Sequence, residues 1–148
     1  MVAFHAELTD VTVYARYFEL YGLAERTAHE RLVRVCADDD AHEIVLIAEP
    51  VDADGTARIA AVGRLSLADT EPSAEFALLV GDEWQRRGLG SELLRRLVAI
   101  GRDEGLRRIW AEMLPTNVGM RHTARDAGFS VTETFGSSTV RAELLLEV

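Results

Sequence analysis

The chain has 148 residues, 48% apolar and 28% charged, which suits one ordinary globular domain with a core of its own. Its formal net charge of −9 argues against nucleic acid or an anionic membrane as the main partner and modestly favours a cationic one. All 16 basic residues are arginine, which excludes a lysine-based phosphate loop, a Schiff base and a lysine general base. No apolar run approaches a membrane span and the first residues do not read as a signal peptide, so a cytoplasmic protein is expected.

In chain order, Val11, Tyr14, Phe18 and Tyr21 fall at helical steps, and after Gly22 a second helix is predicted from about Ala24 to Cys36. Cys36, the sole cysteine, closes the apolar pattern Ala28, Leu32, Val35 and reads as a buried structural thiol. Asp38, Asp39 and Asp40 read as a solvated turn, since no glutamate follows at the calcium-loop spacing, and no metal is expected. The pattern then changes to strands. Glu43 to Pro50 is a short apolar run, and Asp54-Gly55 supplies a hairpin turn. Arg58 to Leu67 is the return strand, and Ser73 to Gly81 is a third. Two hairpin connections imply antiparallel pairing.

A helix follows, with Leu89, Leu93, Leu97 and Ile100 on one stripe and Leu94 beside it, ended by Gly105. Arg107 to Leu114 is the next strand, so the strand–helix–strand unit predicts a parallel crossover. Pro115-Thr116-Asn117 opens a short helix that stops at Gly128, and a last hairpin closes the chain. The reading is an α/β domain over 1–148 with a mixed, mostly antiparallel sheet.

The turn before the first of these later helices, "WQRRGLGSELL", carries the chemistry. A helix start leaves backbone N–H groups unpaired and partly positive, which suits phosphate. Gly88 and Gly90 let a ligand approach the backbone closely, and Arg86 and Arg87 add charge. The Walker A loop fails for want of lysine. The dinucleotide fingerprint fails because position 93 is Leu93.

Gln85-Arg86-Arg87-Gly88-Leu89-Gly90 matches the Q/R-x-x-G-x-G/A motif, and the chain resembles the GCN5-related N-acetyltransferases (GNAT). The element order agrees, and the spans "AEFALLVGDEWQRRGLGSELL" and "AEMLPTNVGMRHTARDAGF" are similar to the acetyltransferase domains of bacterial protein-lysine acetyltransferases. The resemblance implies a splayed parallel strand pair, flanked by helices, that holds acetyl-CoA. It implies that Leu78 and Val80 offer backbone groups to the pantetheine arm. Gln85, Arg86, Arg87, Gly88, Leu89, Gly90 and Ser91 would wrap the pyrophosphate, and Asn117 would lie beside the CoA arm or simply cap its helix.

Glu75, mid-strand among apolar residues, is expected to be partly buried, with the raised pKa of a general base. A solvent-facing strand residue, or an ion pair with a nearby arginine such as Arg64, is the structural alternative. Glu112 is the second candidate, as a substrate-orienting or relay group, with a structural hydrogen-bond acceptor as its alternative. Many family members carry a tyrosine acid seven residues after the asparagine, but here that position is Ala124. His122 reads as a surface residue. The weakly strand-like "MVAFHAELTD" departs from the usual first strand. The aromatic stripe Tyr14, Tyr17, Phe18, Tyr21 reads as helix core or as a wall of the acceptor site. The expected acceptor is a primary amine, on a protein lysine or a small cationic molecule. A silent acyl-CoA-binding module is the non-enzymatic alternative, and a homodimer stays open.

Overall fold

The computed structural model describes residues 42–147. The helices expected before them, with Tyr14, Tyr17, Phe18, Tyr21 and Cys36, lie outside the described residues, as do the first strand and Asp38 to Asp40.

Three strands come first: β1 (Glu43–Ala48), β2 (Ala61–Leu67) and β3 (Ser73–Val80). Helix α1 (Leu89–Asp103) leads to β4 (Arg108–Met113), helix α2 (Val118–Asp126) follows, and β5 (Ser130–Glu133) and β6 (Val140–Leu145) close the chain. The sheet order is β1-β2-β3-β4-β6-β5. All pairings are antiparallel except β3 with β4. The expected mixed sheet and parallel crossover are therefore present.

The first hairpin is longer than expected. Arg58 to Ala60 lie outside β2, because a separate bridge between Val51 and Ala57 narrows the connection before the ladder begins. At its tip the Asp54 carboxylate accepts from the Thr56 amide at 2.9 Å, and that bond holds its pKa below the ordinary value.

Period-2 alternation gives the sheet one apolar face. Leu65, Phe76, Leu78, Ile109, Met113 and Val140 project there, and α1 and α2 cover them. On α1 the buried residues are Leu93, Leu94, Leu97, Val98 and Gly101, so the stripe is turned slightly from the expected one and Ile100 is only half-buried. Close approach explains the turn: a Cβ on Gly101 would stand 2.7 Å from Ile109 Cδ1. Gly63 on β2 plays a similar part, since a Cβ there would meet Leu97 Cδ1 at 3.1 Å and Leu78 Cδ2 at 3.2 Å. Two glycines thus let the helix settle onto the sheet. Phe76 and Phe129 meet edge to face at 5.1 Å and lock the final hairpin to the centre.

Leu97 is fully buried at this helix–sheet contact. Leu97→Ala should lower the unfolding free energy by about 3 kcal/mol, read as a lower urea midpoint at unchanged slope.

Candidate active site

The parallel pairing of β3 with β4 is short. It runs through Ser73↔Arg108, Ala74↔Ile109 and Glu75↔Trp110, and then the strands part. β3 continues beside β2 to Val80, and β4 continues beside β6 to Met113. A V-shaped opening results.

The backbone facing this opening follows from the register. Ala68 N–H donates to the Ser73 carbonyl at 2.9 Å, and Gly81 N–H donates to the Ala60 carbonyl at 2.8 Å. Residues 73 and 81 therefore bond toward β2. Antiparallel strands alternate in this respect, so the even residues turn their N–H and C=O groups the other way. Leu78 and Val80 aim theirs into the opening. The Val80 carbonyl accepts from the Gln85 side-chain amide at 3.1 Å, which ties the following loop to the strand end.

That loop is built from a short 3-10 turn, Asp82–Trp84, and a tight entry into α1. Arg86 has a left-handed backbone (φ 60), unusual for a side chain with a Cβ, and Gly88 is left-handed as well (φ 82). Gly88 caps α1 without a side-chain hydrogen bond to the first turn. The amides that open the helix therefore have no capping side chain. Glu92, the acid of that turn, is engaged by Arg96 at 2.8 Å and by Arg95, and these bonds hold its pKa below the ordinary carboxylate value.

Gly90 is informative. Its φ is not left-handed, and a Cβ there would meet only Val80 Cγ2, at an ordinary 3.5 Å. Neither backbone conformation nor packing within the protein requires glycine at this position. A glycine in a helix costs roughly 0.5–1 kcal/mol relative to alanine, so its presence leaves open space beside the helix end.

The opening and the α1 entry form one cleft of about 950 Å³, within the usual range for ligand sites. Glu75, Leu78, Val80, Gln85, Arg86, Gly88, Gly90, Ser91, Glu112 and Asn117 all line it. Two expected residues do not. Arg87 turns back over Trp84, 5.4 Å from the ring centroid, and Leu89 packs against the core. Met113, Thr116, Gly119, Met120 and Thr123 also line the cleft and were not expected. Met113 closes β4, and the others surround Asn117, the one residue of that segment the sequence singled out.

Asn117 is the N-cap of α2, its Oδ1 accepting from Met120 N–H at 3.2 Å. Capping uses the oxygen alone, so the NH2 group keeps its donors. Ala124 is fully buried in the core. His122 borders the cleft but is mostly exposed and pairs with Asp126 at 3.2 Å.

Glu75 sits at the last paired position before the strands part, and Glu112 lies two residues beyond its partner Trp110 on the same sheet face. The expected partial burial of Glu75 is not found. Its neighbours Ala74 and Phe76 point into the core, so the side chain between them points the other way and is exposed. The solvent-facing alternative is the one found, and Arg64 pairs with Glu43 at 3.4 Å. Glu112 is also exposed, within 3.8 Å of Arg141 and 3.5 Å of the Thr139 hydroxyl. The cleft is therefore polarised, with open amides at the α1 entry and carboxylates where the strands diverge.

A family model described as "Acetyltransferase (GNAT) family" matches residues 10–129. The chain belongs to the GNAT family. Among solved structures it is similar to the GNAT domain of S. lividans PAT, at 30% identity and TM-score 0.81, over 98% of this chain and 82% of that one. The PaiA N-acetyltransferase of Thermoplasma acidophilum, in complex with coenzyme A, shares the fold at 19% identity and TM-score 0.71, over 98% and 90% of the two chains. A spermidine N-acetyltransferase SpeG mutant from Vibrio cholerae does so at 20% identity and TM-score 0.68, over 97% and 89%.

The two glycines of the α1 entry should separate in a stability measurement. Gly88→Ala should cost about 1 kcal/mol, because it forces a Cβ into a left-handed conformation. Gly90→Ala should leave stability unchanged or raise it by up to about 1 kcal/mol. Chemical denaturation of both variants checks the contrast.

Proposed function

We propose that the protein is an acetyl-CoA-dependent N-acetyltransferase whose acceptor is the primary amine of a polypeptide lysine. The observation that carries this reading is the opening between β3 and β4, with the Leu78 and Val80 amides aimed into it and an uncapped helix start at its end. The identity to the GNAT domain of S. lividans PAT supports a protein acceptor.

The residues fit a pyrophosphate-bearing cosubstrate. Open amides at Leu89, Gly90 and Ser91 offer donors to an anion, Gly90 leaves room for it, and Arg86 lies along the same wall. Leu78 and Val80 hold an extended amide-bearing arm as a further strand would. The Asn117 NH2 group lies on the opposite wall, available to the same arm. Gln85 acts by fixing the loop to Val80, and Arg87 by stacking on Trp84.

Bound acetyl-CoA supplies an activated acetyl thioester. The chain's residues govern the proton and the developing charge. A lysine amine has a pKa of about 10.4 and arrives protonated, so a base must take its proton. Glu75, exposed at the apex of the opening, accepts that proton directly or through one water. Glu112, on the same face, orients the incoming cation. A backbone N–H that β3 turns into the opening donates to the oxygen on which charge develops during attack. Ala124 has no hydroxyl, so no proton comes from that position, and a thiol with a pKa of about 8.5 leaves with little help.

Glu75→Gln should leave acetyl-CoA affinity nearly intact and lower kcat about 10²-fold or more, and unchanged turnover would remove it from the mechanism. Gly90→Glu should abolish acetyl-CoA binding by filling the helix entry with a repelling carboxylate. Calorimetric titration of the folded variant measures this.

A further inference from the structure

We propose that Arg121 is a positioning residue for the acyl-CoA arm, holding the loop between β4 and α2 in place from outside the cleft. This rests on the acyl-CoA reading above and adds what fixes the wall opposite Leu78 and Val80.

That wall is a short loop. Leu114, Thr116 and Asn117 line the cleft, and Val118 and Gly119 carry the lining into the first turn of α2. Asn117 N–H donates to the Leu114 carbonyl at 3.0 Å, and Val118 N–H donates to the Thr116 carbonyl at 2.9 Å. The Asn117 side-chain oxygen is taken by the Met120 amide. These bonds shape the loop and its helix but stay within them. Pro115, in the middle, has no N–H and offers its carbonyl alone.

A side chain from α2 makes the attachment to the rest of the fold. Arg121 Nη1 donates to the Pro115 carbonyl at 2.9 Å, and its Nη2 donates to Glu133 Oε1 at 2.6 Å. Glu133 ends β5, where it pairs with Val140 of β6. The planar guanidinium holds its donors in a fixed fork, so it sets the distance between the loop and the sheet. Neither Arg121 nor Glu133 lines the cleft. Arg121 therefore acts on a ligand through Thr116 and Asn117, not through its own charge.

Stability does not account for an arginine here. The side chain is only 21% exposed, and its Nε is buried without a hydrogen-bond partner, which is costly. Its counter-ion Glu133 is 62% exposed, so the ion pair gains little from water-screened charge. A methionine of similar length would fill the same space without the unpaired donor. What methionine lacks is the fork that fixes the Pro115 carbonyl relative to Glu133.

The test compares acetyl-CoA with ADP, which carries the pyrophosphate but no arm. Calorimetry gives both affinities, and urea denaturation gives the stability of the same variants. Arg121→Met should keep the wild-type urea midpoint and ADP affinity while raising the Kd of acetyl-CoA about tenfold. Arg121→Lys has no fork and should not restore binding. Glu133→Ala should weaken acetyl-CoA binding in the same direction, and the double variant should bind no more weakly than Arg121→Met alone, because the two side chains act as one brace. Glu133→Ala alters an exposed site, so it keeps the test readable whatever Arg121→Met does to folding. The proposal is overturned if acetyl-CoA affinity is unchanged in these variants, if ADP affinity or the urea midpoint falls in step with it, or if the two losses simply add. Acetyl-CoA binding that depends on Arg121, with no amine ever acetylated, would leave this inference standing and remove the transferase reading. Amine acetylation by Arg121→Met at an unchanged KM for acetyl-CoA would do the reverse.

Discussion

The parting of β3 and β4 after Glu75↔Trp110 is the constraint on which the site depends. A parallel pair normally satisfies backbone groups along its whole length. Here one strand edge in the middle of the sheet turns N–H and C=O groups into a cleft. Such an edge is a binding template, and the sheet protects it by placing it inside the molecule's own concavity. The divergence is tolerated because each strand keeps its other neighbour: β2 holds β3 to Val80, and β6 holds β4 to Met113.

The helix that follows β3 gives the opening its polarity. Gly63 and Gly101 let α1 lie close to the sheet, which brings its first turn level with the end of β3. The left-handed residues Arg86 and Gly88 then turn the chain sharply enough that the open amides face the cleft. Carboxylates collect at the other end, where β3 and β4 separate. Opposed charge at the two ends allows an anionic and a cationic ligand to share one cleft without competing for the same wall.

Much of this was legible in the sequence. Apolar spacing placed α1, β1, β3 and β4 within a few residues, and the glycine-bearing turn lines one end of the cleft, because these features are local. The misreadings are instructive. Glu75 looked buried because its neighbours in sequence are apolar, yet in a strand those neighbours point to the opposite face. Arg87 looked like a cradle charge, but it lies three residues from Trp84 and stacks there instead. The helical stripe was off by a residue because Gly101, with no side chain, is a close-contact position that a hydrophobic pattern passes over. The extent of the splay had no local signal, since β3 reads the same on both sides of the break.

The central claim is that the Leu78 and Val80 amides receive the acyl-CoA arm. Amide hydrogen exchange at these two positions, with and without acetyl-CoA, tests it most directly, with ATP as the control for phosphate binding alone. The account predicts that acetyl-CoA slows exchange at both amides and that ATP slows it at neither. Unchanged exchange at Leu78 and Val80 in protein saturated with acetyl-CoA would contradict it.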